Sequence, residues 1–369
     1  MAGNGAGDTF TLFGTEPGKK YEVTVTGFTR IPKDSKLWNE SGAIAGETSE
    51  IKTVDTPSKI DPIVRIFGDN RFATAAEIAK NTYEKADTVV LAYGMNYADA
   101  LAGVTIASAM NAPILLTNTD SLPRQTTNAI EKLGAKNVII LGGTGVISET
   151  VENTLKQQKL NTERIAGSTR FETAVKIAEK IGSLTRKAPK ELFFVYANNF
   201  ADALSASSVA AAKGSCVLYL RTDGELDKAT AKYLESVKGS VENAYVIGGE
   251  GVISDEMMKA AGDALGIEPT RISGNNRYET CIAVNEAFND VLTGNCLCVA
   301  TGADFPDALA GGVYAALYYS PMMLAAGSLS KQQTDYLKSR EDQRIVVFGG
   351  KGAVSDELVD KIVKAKAKG

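Results

Sequence analysis

The chain has 369 residues, a formal net charge of −4, 44% hydrophobic residues and no histidine. This composition is typical of a globular protein of two or three domains. Without histidine, a Ser-His-Asp or Cys-His catalytic site cannot form, and neither can a zinc site with histidine ligands. With 40 basic and 44 acidic residues, the chain also lacks the global positive field of many nucleic-acid-binding proteins.

The N-terminal segment, residues 1–62, contains short stretches that alternate polar and apolar side chains, as half-buried strands do. These stretches are residues 9–12, 21–26 and 50–54. A Pro-Gly turn at residues 16–21, followed by a tyrosine, resembles the tyrosine-corner region of a fibronectin type III sandwich. Only about three strands fit where a whole sandwich has seven, so we predict a partial domain.

Two further features are predicted for this N-terminal segment. Residues 28–46 would form a long loop, in which Trp38 serves either local packing or a ligand. Residues 53–62 contain two prolines and are predicted to be the linker to the rest of the chain.

An eleven-residue motif then occurs three times. It reads Arg-Ile-x-Gly-x-x-Arg-(Phe/Tyr)-x-Thr-(Ala/Cys) and begins at Arg65, Arg164 and Arg271. The first and second occurrences agree at seven of eleven positions, and the second and third at six. Successive starts are separated by about 100 residues, which far exceeds the unit of a solenoid, so we expect each copy to bury its own core.

Three more signatures follow in the same order in every copy. The sequence (Tyr/Phe)-x-Asp-Ala-Leu occurs at residues 97–101, 200–204 and 305–309. Pro-Ile-Leu-Leu at 113–116 is echoed at 216–219 and 321–324, and Gly-Gly-x-Gly occurs at 142–145, 248–251 and 349–352. We therefore divide the rest of the chain into a first copy at 63–161, a second at 162–268 and a third at 269–369.

Each copy is predicted to alternate strands and helices. In the first copy, strands are expected at residues 63–66, 88–92, 113–116 and 137–141, and helices at 71–83, 98–110, 123–133 and 148–159. Continuously apolar strands between helices indicate a parallel sheet buried on both faces, and right-handed crossovers make this a doubly wound α/β unit. The small residues of the helix at 201–212 would permit close packing between copies.

The Gly-Gly-x-Gly signature lies between the last strand and the last helix of each copy. Ser148, Ser254 and Ser355 are placed to cap that helix. The glycines could cradle a phosphate with backbone N–H groups, or they could simply form a tight turn with positive φ. The spacing matches neither of the common nucleotide-binding glycine motifs, which favours the turn.

Two arginines and one aspartate recur in each copy and are the candidate binding residues. They are Arg65, Arg71 and Asp99; Arg164, Arg170 and Asp202; and Arg271, Arg277 and Asp307. The second arginine opens a helix, where the helix dipole disfavours a cation, so a carboxylate or an anionic ligand must offset this cost. Arginine binds either one through paired hydrogen bonds. The carboxyl ends of neighbouring strands bring these loops together, so both roles remain open.

Together these signatures resemble the cell wall binding repeat type 2 family, whose copies occur in threes on surface and S-layer proteins of Gram-positive bacteria. The resemblance covers about residues 63–369. It implies a Toprim-like α/β unit, three of which form a pseudo-threefold trimer within one chain. Three departures stand out: Cys216 replaces a motif proline, Cys281 replaces a helix alanine, and Met322 and Met323 enter the apolar run.

The resemblance also implies a function. It implies non-covalent anchoring to an anionic cell-wall polysaccharide or teichoic-type polymer through the nine candidate residues and, in the first copy, through residues 113–116. We expect no cofactor, metal, nucleic acid or membrane insertion. The resemblance places the protein on the cell wall or outer surface, with other surface-layer proteins as possible partners. The N-terminus lacks the basic and apolar pattern of a signal peptide.

The competing interpretation is an enzyme, either a Toprim-type Mg²⁺-dependent phosphotransferase or a nucleotide-binding protein. A Toprim site needs a glutamate after one strand and an Asp-x-Asp pair after another. No Asp-x-Asp occurs in the chain, and no acidic triple repeats beside Asp99, Asp202 and Asp307. The sequence therefore favours a binding module without catalysis, and a protein partner stays open for the N-terminal segment.

Overall fold

The computed structural model describes residues 63–341 and 344–367, and within residues 1–62 only the backbone of six short strands. These strands are β1 (Gly3–Asn4), β2 (Thr11–Leu12), β3 (Lys20–Val23), β4 (Thr26–Arg30), β5 (Ala43–Thr48) and β6 (Lys52–Asp55). They form three antiparallel pairs, β1 with β2, β3 with β6 and β4 with β5.

The N-terminal strands agree with the sequence only in part. The strands predicted at residues 9–12, 21–26 and 50–54 overlap β2, β3 and β6. The long loop predicted at 28–46 is wrong at both ends, where β4 and β5 lie. Gly27 and Gly46 fall inside these strands and weaken the alternating signal. Residues 16–19 of the tyrosine-corner turn, Trp38 and residues 56–62 of the linker lie outside the described residues.

The three copies show the predicted alternation of strands and helices. The first contains β7 (Ile63–Ile66), α1 (Arg71–Thr82), β8 (Thr88–Tyr93), α2 (Gly103–Ala109), β9 (Ile114–Thr117), α3 (Arg124–Leu133), β10 (Asn137–Leu141) and α4 (Glu149–Gln157). The second contains β11 (Asn161–Ile165), α5 (Arg170–Thr185), β12 (Glu191–Tyr196), α6 (Ala201–Ala212), β13 (Cys216–Leu220), α7 (Lys228–Val237), β14 (Asn243–Ile247) and α8 (Asp255–Leu265). The third contains β15 (Thr270–Ile272), α9 (Arg277–Ala287), β16 (Cys296–Thr301), α10 (Pro306–Leu317), β17 (Met322–Ala325), α11 (Lys331–Lys338), β18 (Arg344–Phe348) and α12 (Asp356–Lys366).

Helix α2 begins later than predicted. The sequence places its start at residue 98, but the regular helix begins at Gly103. The residues before it form tight turns, in which the Ala100 N–H donates to the Tyr97 carbonyl at 3.0 Å and the Gly103 N–H to the Ala100 carbonyl at 2.8 Å. The corresponding helix α6 starts at Ala201, as predicted, and α10 starts at the equivalent residue, Pro306.

The strands form three parallel four-stranded sheets that do not follow the boundaries of the copies. Their orders are β9-β8-β10-β11, β13-β12-β14-β15 and β17-β16-β18-β7. In each sheet the fourth strand is the first strand of the next copy, so that Arg164 pairs in register with Ile140 and Arg271 with Val246. Strand β7 of the first copy completes the third sheet, with Arg65 opposite Val347. The exchange of strands therefore closes into a ring.

The three copies meet at a pseudo-threefold axis, as the sequence predicted. The central helices α2, α6 and α10 each contact the other two. The rings of Tyr97, Phe200 and Phe305 also meet, with centroids 5.6, 6.0 and 6.2 Å apart. Across the axis, the Ser207 hydroxyl donates to the Leu101 carbonyl at 3.0 Å. Small side chains on these helices permit such close approach.

The expectation that each copy buries its own core is wrong. One cluster of buried side chains runs through all three copies, and a second, smaller cluster lies around the third sheet. The exchanged strands and the close central helices join the copies into one folded body, which spans Ile63–Gly369. Strand β9 is fully buried, so the Pro-Ile-Leu-Leu segment contributes to the core rather than to a surface. No helix that the structure describes is long and apolar enough to cross a membrane.

Candidate functional site

The first arginine of each copy lies on the strand that completes the sheet of the preceding copy, and it binds that copy through hydrogen bonds and an ion pair. Arg164 donates to the carbonyls of Gly142 and Ile147 at 2.8 and 2.9 Å and forms an ion pair of 2.8 Å with Glu152. Arg65 makes the equivalent contacts with the carbonyls of Gly349 and Val354 and with Asp356.

Arg271 completes the set. It donates to the Gly248 carbonyl at 2.8 Å and pairs with Asp255 at 2.9 Å. The side chains of the three arginines are only 15–19% exposed. The partners of these arginines are thus carboxylates at the start of α4, α8 and α12, and not the repeated aspartates. This geometry indicates a structural contribution from Arg65, Arg164 and Arg271.

The first glycine of each Gly-Gly-x-Gly signature needs a conformation that other residues rarely adopt. Gly142, Gly248 and Gly349 have φ of 100°, 124° and 104°, which supports the tight-turn interpretation. Each donates its N–H to the end of the exchanged strand, at 2.9–3.0 Å. A Cβ atom added at Gly142 or Gly248 would lie 2.9 Å from a carboxylate oxygen of Asp99 or Asp202.

The repeated aspartates are therefore packed against these turns. Burial raises the pKa of Asp202 to about 6, although Arg277 opposes the shift. Burial and the nearby Asp304 raise the pKa of Asp307 to about 6, against the opposing effect of Arg71. Burial also raises the pKa of Asp99, while a hydrogen bond from Thr173 and the charge of Arg170 act in the opposite direction.

The second arginine of each copy faces the aspartate of the preceding copy. Arg71, Arg170 and Arg277 each donate to a carbonyl at the end of a strand in their own copy, at 2.5–2.7 Å. Each also lies over an aromatic ring of the preceding copy: Arg71 over Phe305, Arg170 over Tyr97 and Arg277 over Phe200, at 5.9, 5.9 and 5.3 Å. A carbonyl, an aromatic face and a carboxylate thus offset the unfavourable position of a cation at a helix start.

We call each meeting of an aspartate with the arginine of the next copy a junction. In the first junction the charge of Arg170 acts on Asp99, in the second that of Arg277 on Asp202, and in the third that of Arg71 on Asp307, and among the described residues no ion pair within 4 Å joins these partners. Of the nine predicted residues, these six lie in pairs at three corresponding positions around the ring. The other three, Arg65, Arg164 and Arg271, lie behind the glycine turns.

The first junction opens into a cleft of about 400 Å³. Arg170 and Asp99 line it together with the glycine turn, through Gly143 and Gly145, and with the loop of residues 167–169. A Cβ atom at Gly143 or Gly145 would meet no other atom within 4 Å, so the turn presents open space to the cleft. An arginine, a glycine-rich turn and a helix start form a surface suited to an anionic group.

Sequence reasoning missed the contacts that shape the junction loops. Asn70, Thr169 and Asn276 cap helices α1, α5 and α9. The repeated threonine of the eleven-residue motif accepts the N–H of the motif glycine, as Thr173 does from Gly167 at 3.0 Å. Its recurrence in all three copies was a visible signal. The aromatic rings belong to the (Tyr/Phe)-x-Asp-Ala-Leu signature, but nothing in the sequence shows that they meet at one axis.

The repeats place the chain in a known family. The pattern of Cell wall binding domain 2 (CWB2) matches residues 65–152, 164–258 and 271–359, most of the chain. The chain therefore belongs to the CWB2 family, and the family resemblance of its sequence is confirmed.

Solved structures and characterised proteins share this region. Cwp6 and Cwp8 from Clostridium difficile match with TM-scores of 0.77 and 0.74 at 25% identity, over 92% and 94% of this chain and 51% and 63% of theirs. N-acetylmuramoyl-L-alanine amidase LytC of Bacillus subtilis (strain 168) is 33% identical over 310 residues, 84% of this chain and 60% of LytC. The Amidase enhancer of the same organism is 27% identical over 74% of this chain and 37% of its own length. The chain thus spans only part of each relative.

Proposed function

We propose that residues 63–369 attach the protein to the bacterial cell wall by non-covalent binding of an anionic secondary cell-wall polymer at the junctions. The observation that carries this proposal is the cleft of the first junction, where Arg170 faces a glycine-rich turn across open space. The CWB2 family membership and the wall-related names of LytC and the Amidase enhancer support a place at the cell wall.

The pseudo-threefold ring suits a long polymer. Junctions on one body allow a chain of regularly spaced anions to bind at more than one place, so modest single-site affinities combine. Each arginine contact with an exposed anion is worth about 1–3 kcal/mol before screening by salt. We therefore expect attachment to weaken as ionic strength rises. Other surface-layer proteins remain proposed neighbours on the wall.

We propose that this attachment involves no catalysis. The sequence contains no histidine. Within residues 63–341 and 344–367, no group of three or more Cys, Asp or Glu side chains is placed to hold a metal ion. The repeated aspartates stand one to a junction and face an arginine, an arrangement that suits anion binding better than Mg²⁺-dependent phosphotransfer. The amidase activity in the name of LytC belongs to that longer protein.

Co-sedimentation of the full chain with purified cell walls tests the proposal. We expect the protein to pellet with walls of Bacillus subtilis or Clostridium difficile that retain their anionic polymers, and to stay in solution after these polymers are extracted. Hydrofluoric acid extraction, which removes phosphate-linked polymers, separates a phosphate ligand from a uronic acid. Equal sedimentation with fully extracted walls would show that peptidoglycan itself is the ligand and would refute the proposal.

A further inference from the structure

The three junctions are not chemically equivalent. At the position three residues before the repeated aspartate, the first and second copies have Asn96 and Asn199, and the third has Asp304. Asp304 forms an ion pair of 3.2 Å with Arg71, whose guanidinium is thereby partly occupied. The third junction thus holds a carboxylate that is bound to its arginine, Asp304, in addition to Asp307. Glu172 and Glu279 lie beside the first and second junctions, where they accept the N–H groups of Ser168 and Asn275, and among the described residues they form no ion pair with Arg170 or Arg277.

The local backbone explains this difference. The side-chain oxygens of Asn96 and Asn199 accept the N–H groups of Ala98 and Ala201, two residues further on, at 3.0 and 3.2 Å. In the third copy that position is Pro306, which has no N–H to donate. One oxygen of Asp304 accepts from the neighbouring Phe305 N–H instead, and the other reaches Arg71.

No other positive side chain on the glycine turn is available to bind an anion at the third junction. The variable residue of Gly-Gly-x-Gly is Thr144 in the first copy, Glu250 in the second and Lys351 in the third. Glu250 is exposed and, among the described residues, forms no ion pair with Arg277, so it does not occupy its junction arginine as Asp304 does. The Lys351 ammonium is already paired with Asp356 at 2.5 Å. An anion that approaches Arg71 therefore meets the carboxylate of Asp304 first, and like charges repel.

We infer that the anionic polymer binds at the first and second junctions, through Arg170 and Arg277, and that the third junction serves as an internal ion pair that closes the ring. This inference rests on the proposed function and specifies which of its sites take the ligand. Asp304 acts as the residue that excludes the anion from Arg71, and Asn96 and Asn199 leave the other two arginines open to it.

Binding of the full-length protein to Bacillus subtilis or Clostridium difficile walls with their polymers attached tests the inference. Arg170→Ala and Arg277→Ala should each weaken binding about tenfold, and Arg71→Ala less than about twofold. Asp304→Asn should open the third junction and tighten binding about threefold to fivefold. Asn199→Asp retains the oxygen that accepts from Ala201 but adds the charge, so it should weaken binding.

The control is Lys132→Ala, which removes one exposed positive charge in the last turn of α3, away from the junctions. Melting temperatures of all variants identify any loss of folding, and Asp304→Asn and Asn199→Asp retain the shape of the side chain. If Arg71→Ala weakens binding as much as the other two arginine variants and Asp304→Asn has no effect, the inference is wrong. If the wild type binds but no arginine variant differs from Lys132→Ala, the proposed site itself is wrong.

Discussion

The two repeated arginines of each copy differ in what surrounds their guanidinium groups. Arg164 is almost enclosed, with two carbonyls and Glu152 as partners. Arg170 lies at the edge of a cleft and has a carbonyl, the face of Tyr97 and, at 3.5 Å, the side-chain oxygen of Asn198 beside it. An enclosed arginine whose donors are used stabilises the fold, whereas one at a cleft retains donors for a ligand. The two arginines of one motif therefore differ in role: Arg164 stabilises the fold, and Arg170 has donors available to a ligand.

The glycine turn supplies a prediction with a matched control. Gly142→Ala should lower the free energy of unfolding by about 1–3 kcal/mol, because alanine is strained at a φ of 100°. Its Cβ would also press on Asp99. Gly143→Ala changes the next residue, where φ is not positive and the added methyl group meets no atom within 4 Å, so its effect should be small. Urea unfolding of both variants compares them directly, and equal losses would contradict the argument.

Asp202 gives a pH dependence of known sign. Its pKa is raised to about 6, so between about pH 4 and 6 the folded state holds a proton that the unfolded chain has released. The free energy of unfolding therefore falls as pH rises through this window. Asp202→Asn cannot titrate, and we expect its stability relative to the wild type to improve by about 2–3 kcal/mol between pH 4 and pH 7.

Urea titrations at intervals from pH 4 to pH 7 measure this difference. Asp360→Asn, at an exposed position of α12, is the control for loss of a carboxylate. A difference between Asp202→Asn and the wild type that stays constant with pH would show that Asp202 is not the titrating group.

At the scale of elements, the exchanged strands depend on their arginines. Strand β11 contains exposed and half-buried residues at its start and only Ile165 fully buried, so apolar burial alone holds it weakly. Arg164 adds hydrogen bonds to the turn after β10 and an ion pair to α4. In the first copy the sequence predicted the strands and helices well, apart from the late start of α2, because most of them have a clear apolar period. The pairing of β11 with β10 could not be predicted, because the apolar pattern of a strand does not show which strand it pairs with.

Substitution of Arg164 tests whether its hydrogen bonds and ion pair stabilise the position of β11. Arg164→Ala should cost about 2–4 kcal/mol in the free energy of unfolding, because it removes the donor to two carbonyls and leaves Glu152 with Lys156 and Thr162 as its remaining partners. Arg164→Lys should recover little of this, since an ammonium cannot reproduce the planar fork of hydrogen bonds. Chemical denaturation measures both variants. A fully stable Arg164→Ala that loses wall binding would instead make Arg164 a ligand residue.

At the scale of the whole molecule, the repeats form a ring and not a row. The sequence predicted the pseudo-threefold arrangement through the family resemblance and through the small residues of α6. It could not predict that β7, the first strand of the repeat region, completes the last sheet beside β18, because these strands lie near opposite ends of that region. The chemical difference between the junctions could not be predicted either. The sequence shows Asp304 where the other copies have asparagine, but only the structure shows that Asp304 pairs with Arg71.

Ring closure predicts how truncation affects stability. A chain that begins at residue 68 lacks β7 and Arg65, so the third sheet loses its fourth strand and β18 gains an open edge. We expect a melting temperature at least about 10 °C below that of a chain that begins at residue 62, which keeps β7. Both chains lack the N-terminal segment, so its loss is controlled. Equal melting temperatures would show that β7 does not close the ring.

Hydrogen exchange of the full-length protein, with and without polymer released from the wall, shows where the polymer binds. Binding at the first and second junctions predicts slower exchange at their glycine turns and helix starts, in residues 143–146, 167–170, 249–251 and 274–277. The opposite ends of the sheets should be unchanged. Protection confined to those opposite ends or to the N-terminal segment, with the junction loops unchanged, would contradict binding at these junctions.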